Sequence, residues 1–295
     1  MGVYSIRDLE ILSGIKAHTL RIWEQRYGII DPKRTDTNIR FYDDEDLKRI
    51  LNISLLNQNG YKISKIAEMS DNEMTKEVVT LSEKNFKYPD QINMLVHCMV
   101  NLDKDLFEKA MSKSILQHGF ENTMIHIVFP FLNKVGLLWL TGSISPAQEH
   151  FISHLIRKKI MVALDGQITK RNEGSKKFML FLPDGDFHEL GLLFASYMIK
   201  SKGHDVLYLG QSLPLEHVAD AYYQYKPNYI FTVYTAVPAN FEVQEHVNLL
   251  AEKFNDCHIY TTGYQVVGQG INPPKNVKII ARLEEFVSIL DDGLD

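Results

Sequence analysis

The hydrophobic rhythm of the chain changes past its middle. Up to about residue 166 apolar positions recur every three to four residues, the helical period. After residue 177 they come in short runs separated by helical stretches. In the first part, Ser5 is placed to cap a helix running to residue 12, and Ser13-Gly14 closes it. A second helix is predicted over 16–27 and stops at Gly28. A turn-rich stretch, 31–40, contains Pro32. Asp43 or Asp44 then caps a third helix carrying Leu47, Ile50, Leu51, Ile53 and Leu55. Asn59-Gly60 breaks that helix, and a short fourth is predicted over 63–69. Two helices joined by a glycine turn and followed by a hairpin-like stretch describe a winged helix-turn-helix.

Residues 70–90 are polar with alternating charge and Pro89, and predict a connecting segment with part of a helix. From 90 to 166 the period stays helical. Asp103, Gly119, Gly142 and Pro146 divide it into four helices, the last amphipathic over 146–164. Four helices on short loops predict a bundle. Beyond a polar linker at 169–177, strands are predicted at 178–182, 205–209, 229–234, 258–262 and 277–280. Helices lie between them, with a last one at 283–291. Strand and helix in alternation predict a parallel-sheet, Rossmann-like (flavodoxin-like) α/β domain. The expected division is 1–72 for the winged helix-turn-helix, 73–168 for the bundle and 176–295 for the α/β domain.

Composition narrows the class. Hydrophobic residues make up 45% and charged residues 23% of the 295, an ordinary globular balance, and the length suggests more than one core. No apolar run is long enough to span a membrane, and the N-terminus lacks the charged-then-apolar order of a signal peptide, so a cytoplasmic protein is expected. Cys98 and Cys257 stand far apart in no metal-type spacing, which argues against a disulfide scaffold or a zinc site. The formal net charge of −5 does not advertise a nucleic-acid binder, yet charge is segregated. Between residues 16 and 42 stand Lys16, Arg21, Arg26, Lys33, Arg34 and Arg40, opposed only by Glu24, Asp31 and Asp36.

Those basic residues belong to the most specific match in the chain. Tyr4-Ser5-Ile6, Gly14-Ile15, Thr19-Leu20-Arg21-Ile22-Trp23-Glu24-Gln25-Arg26-Tyr27-Gly28, Pro32-Lys33-Arg34 and Arg40-Phe41-Tyr42 resemble the MerR family of DNA-binding domains. The resemblance implies that the second helix enters the major groove and that the wing clamps the backbone. Thr19 and Arg21 then lie on the recognition helix. Arg26, Lys33, Arg34 and Arg40 suit phosphates, and Tyr27 and Tyr42 are expected to donate to phosphate oxygens. Trp23, at helix spacing from Leu20 and Tyr27, is expected in the core. A dimer or higher oligomer on an inverted repeat of double-stranded DNA follows from the same class.

A second motif is Asp186-Phe187-His188-Glu189-Leu190-Gly191, between a strand and a helix. Ligands of doubly wound domains bind beyond the carboxyl ends of the strands. An imidazole there, with a carboxylate two residues upstream, suits a metal ligand and its orienting partner. Asp-x-His-x-x-Gly resembles the cobalamin fingerprint of methionine synthase and corrinoid mutases. By that resemblance His188 is the lower axial ligand of cobalt, Asp186 its orienter and Gly191 the clearance for the displaced nucleotide tail. Thr235-Ala236-Val237 and Thr262-Gly263 stand where that family has Ser-x-Leu and Gly-Gly. Thr235 keeps a hydroxyl and Val237 an apolar wall for the benzimidazole, whereas Thr262 replaces the first glycine and is expected to crowd the tail. Ser212-Leu213 follows the wrong strand and is expected to cap the helix starting near Pro214.

A third constellation precedes the fingerprint: Trp139, then nine residues, then Glu149-His150. It resembles the cobalamin-dependent photoreceptor regulators of the CarH/LitR type. There a Trp shields the adenosyl group of adenosylcobalamin and a Glu meets its ribose hydroxyls. One position departs: a His commonly follows that Trp, and here it is Leu140. His150, His154, His126 and His97 stay open as substitutes above cobalt. The three segments together imply a cobalamin-dependent, light-responsive repressor, not an enzyme, whose homo-oligomeric state, dimer or tetramer, is set by adenosylcobalamin. Two other readings stay open, a cofactor-free regulator that uses the fold for protein contact and a corrinoid methyl carrier.

Overall fold

The computed structural model describes residues 4–13, 15–34, 38, 40–83, 87–140, 144–167, 174–238, 242–292 and 294. Gly14, Asp36 and Gly142, and part of the expected wing and linkers, lie outside the described residues, as does the side chain of Leu140. The chain forms two compact units, 1–152 and 153–295.

The first unit is helical. It opens with α1 (Ile6–Ser13) and α2 (Ala17–Tyr27), where Gly28 takes the left-handed conformation that ends α2, its N–H bonded to the Glu24 carbonyl. A two-residue hairpin follows, β1 (Lys33–Arg34) antiparallel to β2 (Arg40–Phe41). Asp43 caps α3 (Asp44–Gln58): its carboxylate accepts the Glu45 and Asp46 amides, and Asp46 accepts the Asp43 amide in return. Next come α4 (Ile63–Ala67) and α5 (Asp71–Glu83). The segment expected to be mainly a connection is therefore largely a 13-residue helix, and Met74 and Val78 on it are fully buried in one core with Leu9, Leu20, Tyr42, Ile50, Ile53 and Ile66. Alternating surface charge hid an apolar pair at i and i+4, too sparse to show as a stripe. Trp23 packs against this core as expected.

The remaining helices of this unit are α6 (Pro89–Val100), α7 (Lys104–His118), α8 (Phe120–Thr123) and α9 (Phe129–Leu140). A π-helical stretch, Met124–Val128, joins α8 to α9. Helix α10 (Pro146–Asp165) begins in the first unit and ends in the second.

The second unit is a five-stranded parallel sheet wrapped by helices. Its elements are β3 (Lys177–Pro183), α11 (Leu190–Ser201), β4 (Asp205–Leu213), α12 (Leu215–Tyr225), β5 (Tyr229–Val233), α13 (Val243–Lys253), β6 (His258–Thr262), β7 (Val277–Ile279) and α14 (Leu283–Asp292). The order is β4-β3-β5-β6-β7, so the chain reverses its winding between β3 and β5. This is the flavodoxin-like order, with its binding crevice at the carboxyl ends of those two strands. β3 and β5 are buried along nearly their whole length, as strands covered on both faces must be. Cys98 and Cys257 are buried and free, and burial pushes the Cys257 thiol up to about 12.

Candidate functional site

At the switch point Asp186, fully buried, gathers four donors. One carboxylate oxygen accepts the backbone N–H of His188 and lies 3.0 Å from its Nδ1. The other accepts the amides of Thr235 at 2.7 Å and Ala236 at 2.9 Å, at the end of β5. Burial alone would raise this carboxyl; the His188 ring, the Ala236, His188 and Thr235 amides outweigh it and hold it below the usual carboxylate range. An ionised Asp186 can only accept, which places a proton on Nδ1 and, in the neutral imidazole, leaves the lone pair on Nε2. The His188 side chain is 67% exposed.

The end of β4, where Ser212-Leu213 was expected only to cap the next helix, supports the same loop. β4 shifts register against β3 after Leu180 and again after Phe181, and Ser212 takes φ of 45°. Its hydroxyl accepts from Gly185 N (3.1 Å) and donates to Asp184 (3.1 Å), and its amide donates to the Asp186 carbonyl (3.0 Å). Gln211 donates to the Phe187 carbonyl at 2.9 Å. This corrects the expectation for Ser212: α12 has no side-chain cap, and Ser212 braces the fingerprint loop instead. The bulge re-aims the strand end, which periodicity cannot show.

Glu189 was also missed. It is nearly buried, paired closely with Arg157 on α10 and accepting from the Tyr208 hydroxyl at 3.0 Å. Burial, and then the Glu189 charge, push the Tyr208 phenol far up. Residues 51 positions apart at most thereby anchor the loop, and no spacing signal announces them.

Gly191 lies in the first turn of α11 with no atom within 4 Å of where a Cβ would stand. Gly263 is the opposite case. Its φ is +109°, and a Cβ there would lie 2.4 Å from the Tyr234 carbonyl oxygen. Thr262 donates to the Ile280 carbonyl at 2.7 Å, so its hydroxyl is committed to the end of β7. Thr235 and Val237 are half-buried, and the Thr235 amide donates to Asp186. The Tyr234 hydroxyl lies 2.7 Å from His246 Nδ1 beneath the crevice, and burial pushes the His246 imidazole down to about 4.

The upper-face candidates belong to the first unit. Trp139, in the last turn of α9, is 39% exposed. Glu149 and His150, in the first turn of α10, pair at 2.8 Å. The cap of that helix is reciprocal: Ser145 N donates to Gln148 Oε1, and Gln148 N to the Ser145 hydroxyl. The Ser145-x-x-Gln148 spacing was there to be read.

On the DNA-reading candidate, Arg21 and Arg26 are exposed on α2, with the Arg26 guanidinium 5.3 Å from the Tyr27 ring centre. Thr19 is half-buried, its hydroxyl 3.3 Å from His18. Lys33 pairs closely with Asp43, Arg34 donates to Asn38 at 2.7 Å, and Arg40 lies 3.8 Å from Glu24. Tyr42 needs correction. It is fully buried, bridged to Tyr4, and donates its hydroxyl to Glu24 at 3.2 Å, which removes it from the reach of a phosphate. An aromatic in a basic wing is ambiguous, and here the core claimed it.

A MerR HTH family regulatory protein model matches residues 4–73, and a B12 binding domain model matches residues 91–163. The chain is therefore a MerR-type helix-turn-helix domain fused to a cobalamin-binding domain. It is homologous to the CarH- and CarA-type transcriptional regulators. It is 25% identical over 234 residues to the HTH-type transcriptional repressor CarH of Myxococcus xanthus, 77% of each chain. It is 25% identical over 294 residues to the HTH-type transcriptional repressor CarA of the same organism, 96% of this chain and 95% of that one. Over 73 residues, 25% of this chain and 30% of the other, it is 38% identical to the HTH-type transcriptional regulator MlrA of Escherichia coli. Among solved structures, the Methanosarcina barkeri monomethylamine corrinoid protein shares the fold, with a TM-score of 0.54 at 14% identity over 70% of this chain and all of that one. No helix among the described residues is long and apolar enough to cross a membrane.

Proposed function

We propose that this protein is a cytoplasmic transcription repressor whose assembly on an inverted-repeat operator is set by adenosylcobalamin. The observation that carries the reading is the Asp186–His188 contact at the switch point, because it presents Nε2 of a tautomer-fixed imidazole where such folds bind ligands. The surroundings fit a corrinoid: the open space at Gly191 suits a displaced nucleotide tail, and Thr262 keeps its hydroxyl bonded within the sheet.

In this reading His188 ligates cobalt, Asp186 holds the ring, and Thr235, Val237 and Gly263 line the tail's channel. Trp139 shields the adenosyl group, Glu149 receives the ribose hydroxyls, and His150 covers the same upper face. When bound, adenosylcobalamin would supply a light-sensitive cobalt–carbon bond. Thr19 and Arg21 read the major groove, while Arg26, Tyr27, Lys33, Arg34 and Arg40 hold the backbone. The working division is 1–72, 73–168 and 176–295. Control is a population shift, so adenosylcobalamin must bind the repressing oligomer, a dimer or tetramer, more tightly than the dissociated chain.

The test is an absorption spectrum of the purified protein with adenosylcobalamin in the dark and after green light, paired with its mass in solution and its retention of duplex DNA. A bound corrinoid spectrum in the dark, with light changing mass and DNA retention together, is expected. A protein that stays colourless with excess cofactor overturns the reading.

A further inference from the structure

Helix α6 ends in an energetically unfavourable way beside the proposed adenosyl site. The Asp103 amide donates to the Cys98 carbonyl at 2.9 Å and the Leu102 amide to the Met99 carbonyl at 3.2 Å. This paired closure places one residue in the left-handed conformation, a position that glycine or asparagine normally takes. Here it is Leu102, with φ of 53°. Leu102 is also 51% exposed and Val100, one residue before the turn, 45% exposed. The turn thus combines backbone strain with apolar side chains in water, and strain of this kind collects where a ligand is held.

The turn is tied to the proposed site. Gln148, already engaged in the reciprocal cap of α10, donates its Nε2 to the Val100 carbonyl at 2.9 Å. The next residue is Glu149. This hydrogen bond joins the end of α6 to the first turn of α10, and so sets a carboxylate for a diol near apolar side chains for a base. Pockets for such ligands combine apolar walls with a few placed polar groups. We propose that Leu102, with Val100 near it in the chain, is an apolar contact for the adenosyl group of adenosylcobalamin. The inference rests on the reading of Glu149 and His150 given above. Leu116 on α7, 88% exposed without these ties, is the ordinary surface leucine for comparison.

The experiment uses the full chain in the dark. Dissociation constants for adenosylcobalamin and hydroxocobalamin are measured by absorption titration for the wild type, Leu102→Gly, Leu102→Asn and Leu116→Ala. Melting of each is recorded without cofactor. Both Leu102 variants should weaken adenosylcobalamin about tenfold, the scale of losing part of a leucine contact. Hydroxocobalamin should stay within about twofold, and the cofactor-free melting temperature should not fall, because glycine and asparagine relax the helix end. Leu116→Ala should leave both affinities unchanged. Unchanged adenosylcobalamin binding in the Leu102 variants, or an equal loss for both cobalamins, overturns the inference while leaving the proposed function intact. A wild type that binds neither cobalamin overturns both.

Discussion

His188 meets Asp186 through Nδ1 at 3.0 Å, while the second Asp186 oxygen is taken by two amides from the end of β5. The carboxylate thus ties the His188 loop to the neighbouring strand as well as to the ring. Asp186→Ala should weaken cobalamin binding roughly 10–100-fold, as loss of an orienting partner does elsewhere. His188→Ala should abolish the spectrum of a histidine below cobalt. Titration with the cofactor checks both, and tight binding with an unaltered spectrum in His188→Ala would sink the ligand assignment.

The two glycines of the crevice should behave in opposite ways. Gly263→Ala places a Cβ against the Tyr234 backbone in a left-handed conformation and should destabilise the second unit by roughly 2–4 kcal/mol. Gly191→Ala meets open space and should cost under about 1 kcal/mol while still weakening cobalamin binding. Urea unfolding beside cofactor titration separates the cases. A Gly263→Ala protein as stable as the wild type would contradict the close approach of the two strand ends.

Arg21 and Arg40 should lose different things. Arg40→Ala should weaken binding to every duplex and reduce the slope of affinity against salt by about one counterion. Arg21→Ala should hurt a selected operator more than random DNA. Fluorescence anisotropy at several salt concentrations decides. Equal losses for Arg21→Ala on both duplexes would make it a phosphate contact.

His246 predicts a pH dependence of stability. Burial holds its imidazole neutral down to about 4, whereas in the unfolded chain it protonates near 6.5. Between these values the unfolded chain binds a proton that the folded chain does not. Stability therefore falls as pH drops from about 6.5 to about 4 and levels off below, by roughly 3 kcal/mol at most. His246→Gln, which still offers the Tyr234 hydroxyl a partner, should flatten this slope. Denaturant melts from pH 7 to 4 would refute the prediction if both proteins lost stability in parallel.

Much of this was legible in the chain. The period switch near residue 170 marked the α/β unit, and its strands start at or within a residue of their expected positions because buried parallel strands read as unbroken apolar runs. Asp186 and His188 were visible because two residues of spacing suffice to bring them together. Glu189 and Ser212 were not, since their roles depend on Arg157, Tyr208 and Asp184 reaching them through the fold. Tyr42 was misread for the converse reason: its chemistry suits a phosphate, and only packing reveals that its hydroxyl is spent on Glu24.

Leu137 on α9 packs against the same apolar cluster as Leu20 on α2, and Met74 and Val78 on α5 complete it. The helix-turn-helix accordingly has no closed interior of its own. A fragment ended at residue 72 would leave that interior open on two sides, and heating should melt α2, α5 and α9 in one cooperative transition. The free energy that keeps α2 folded is, in part, held by the helix that carries Trp139.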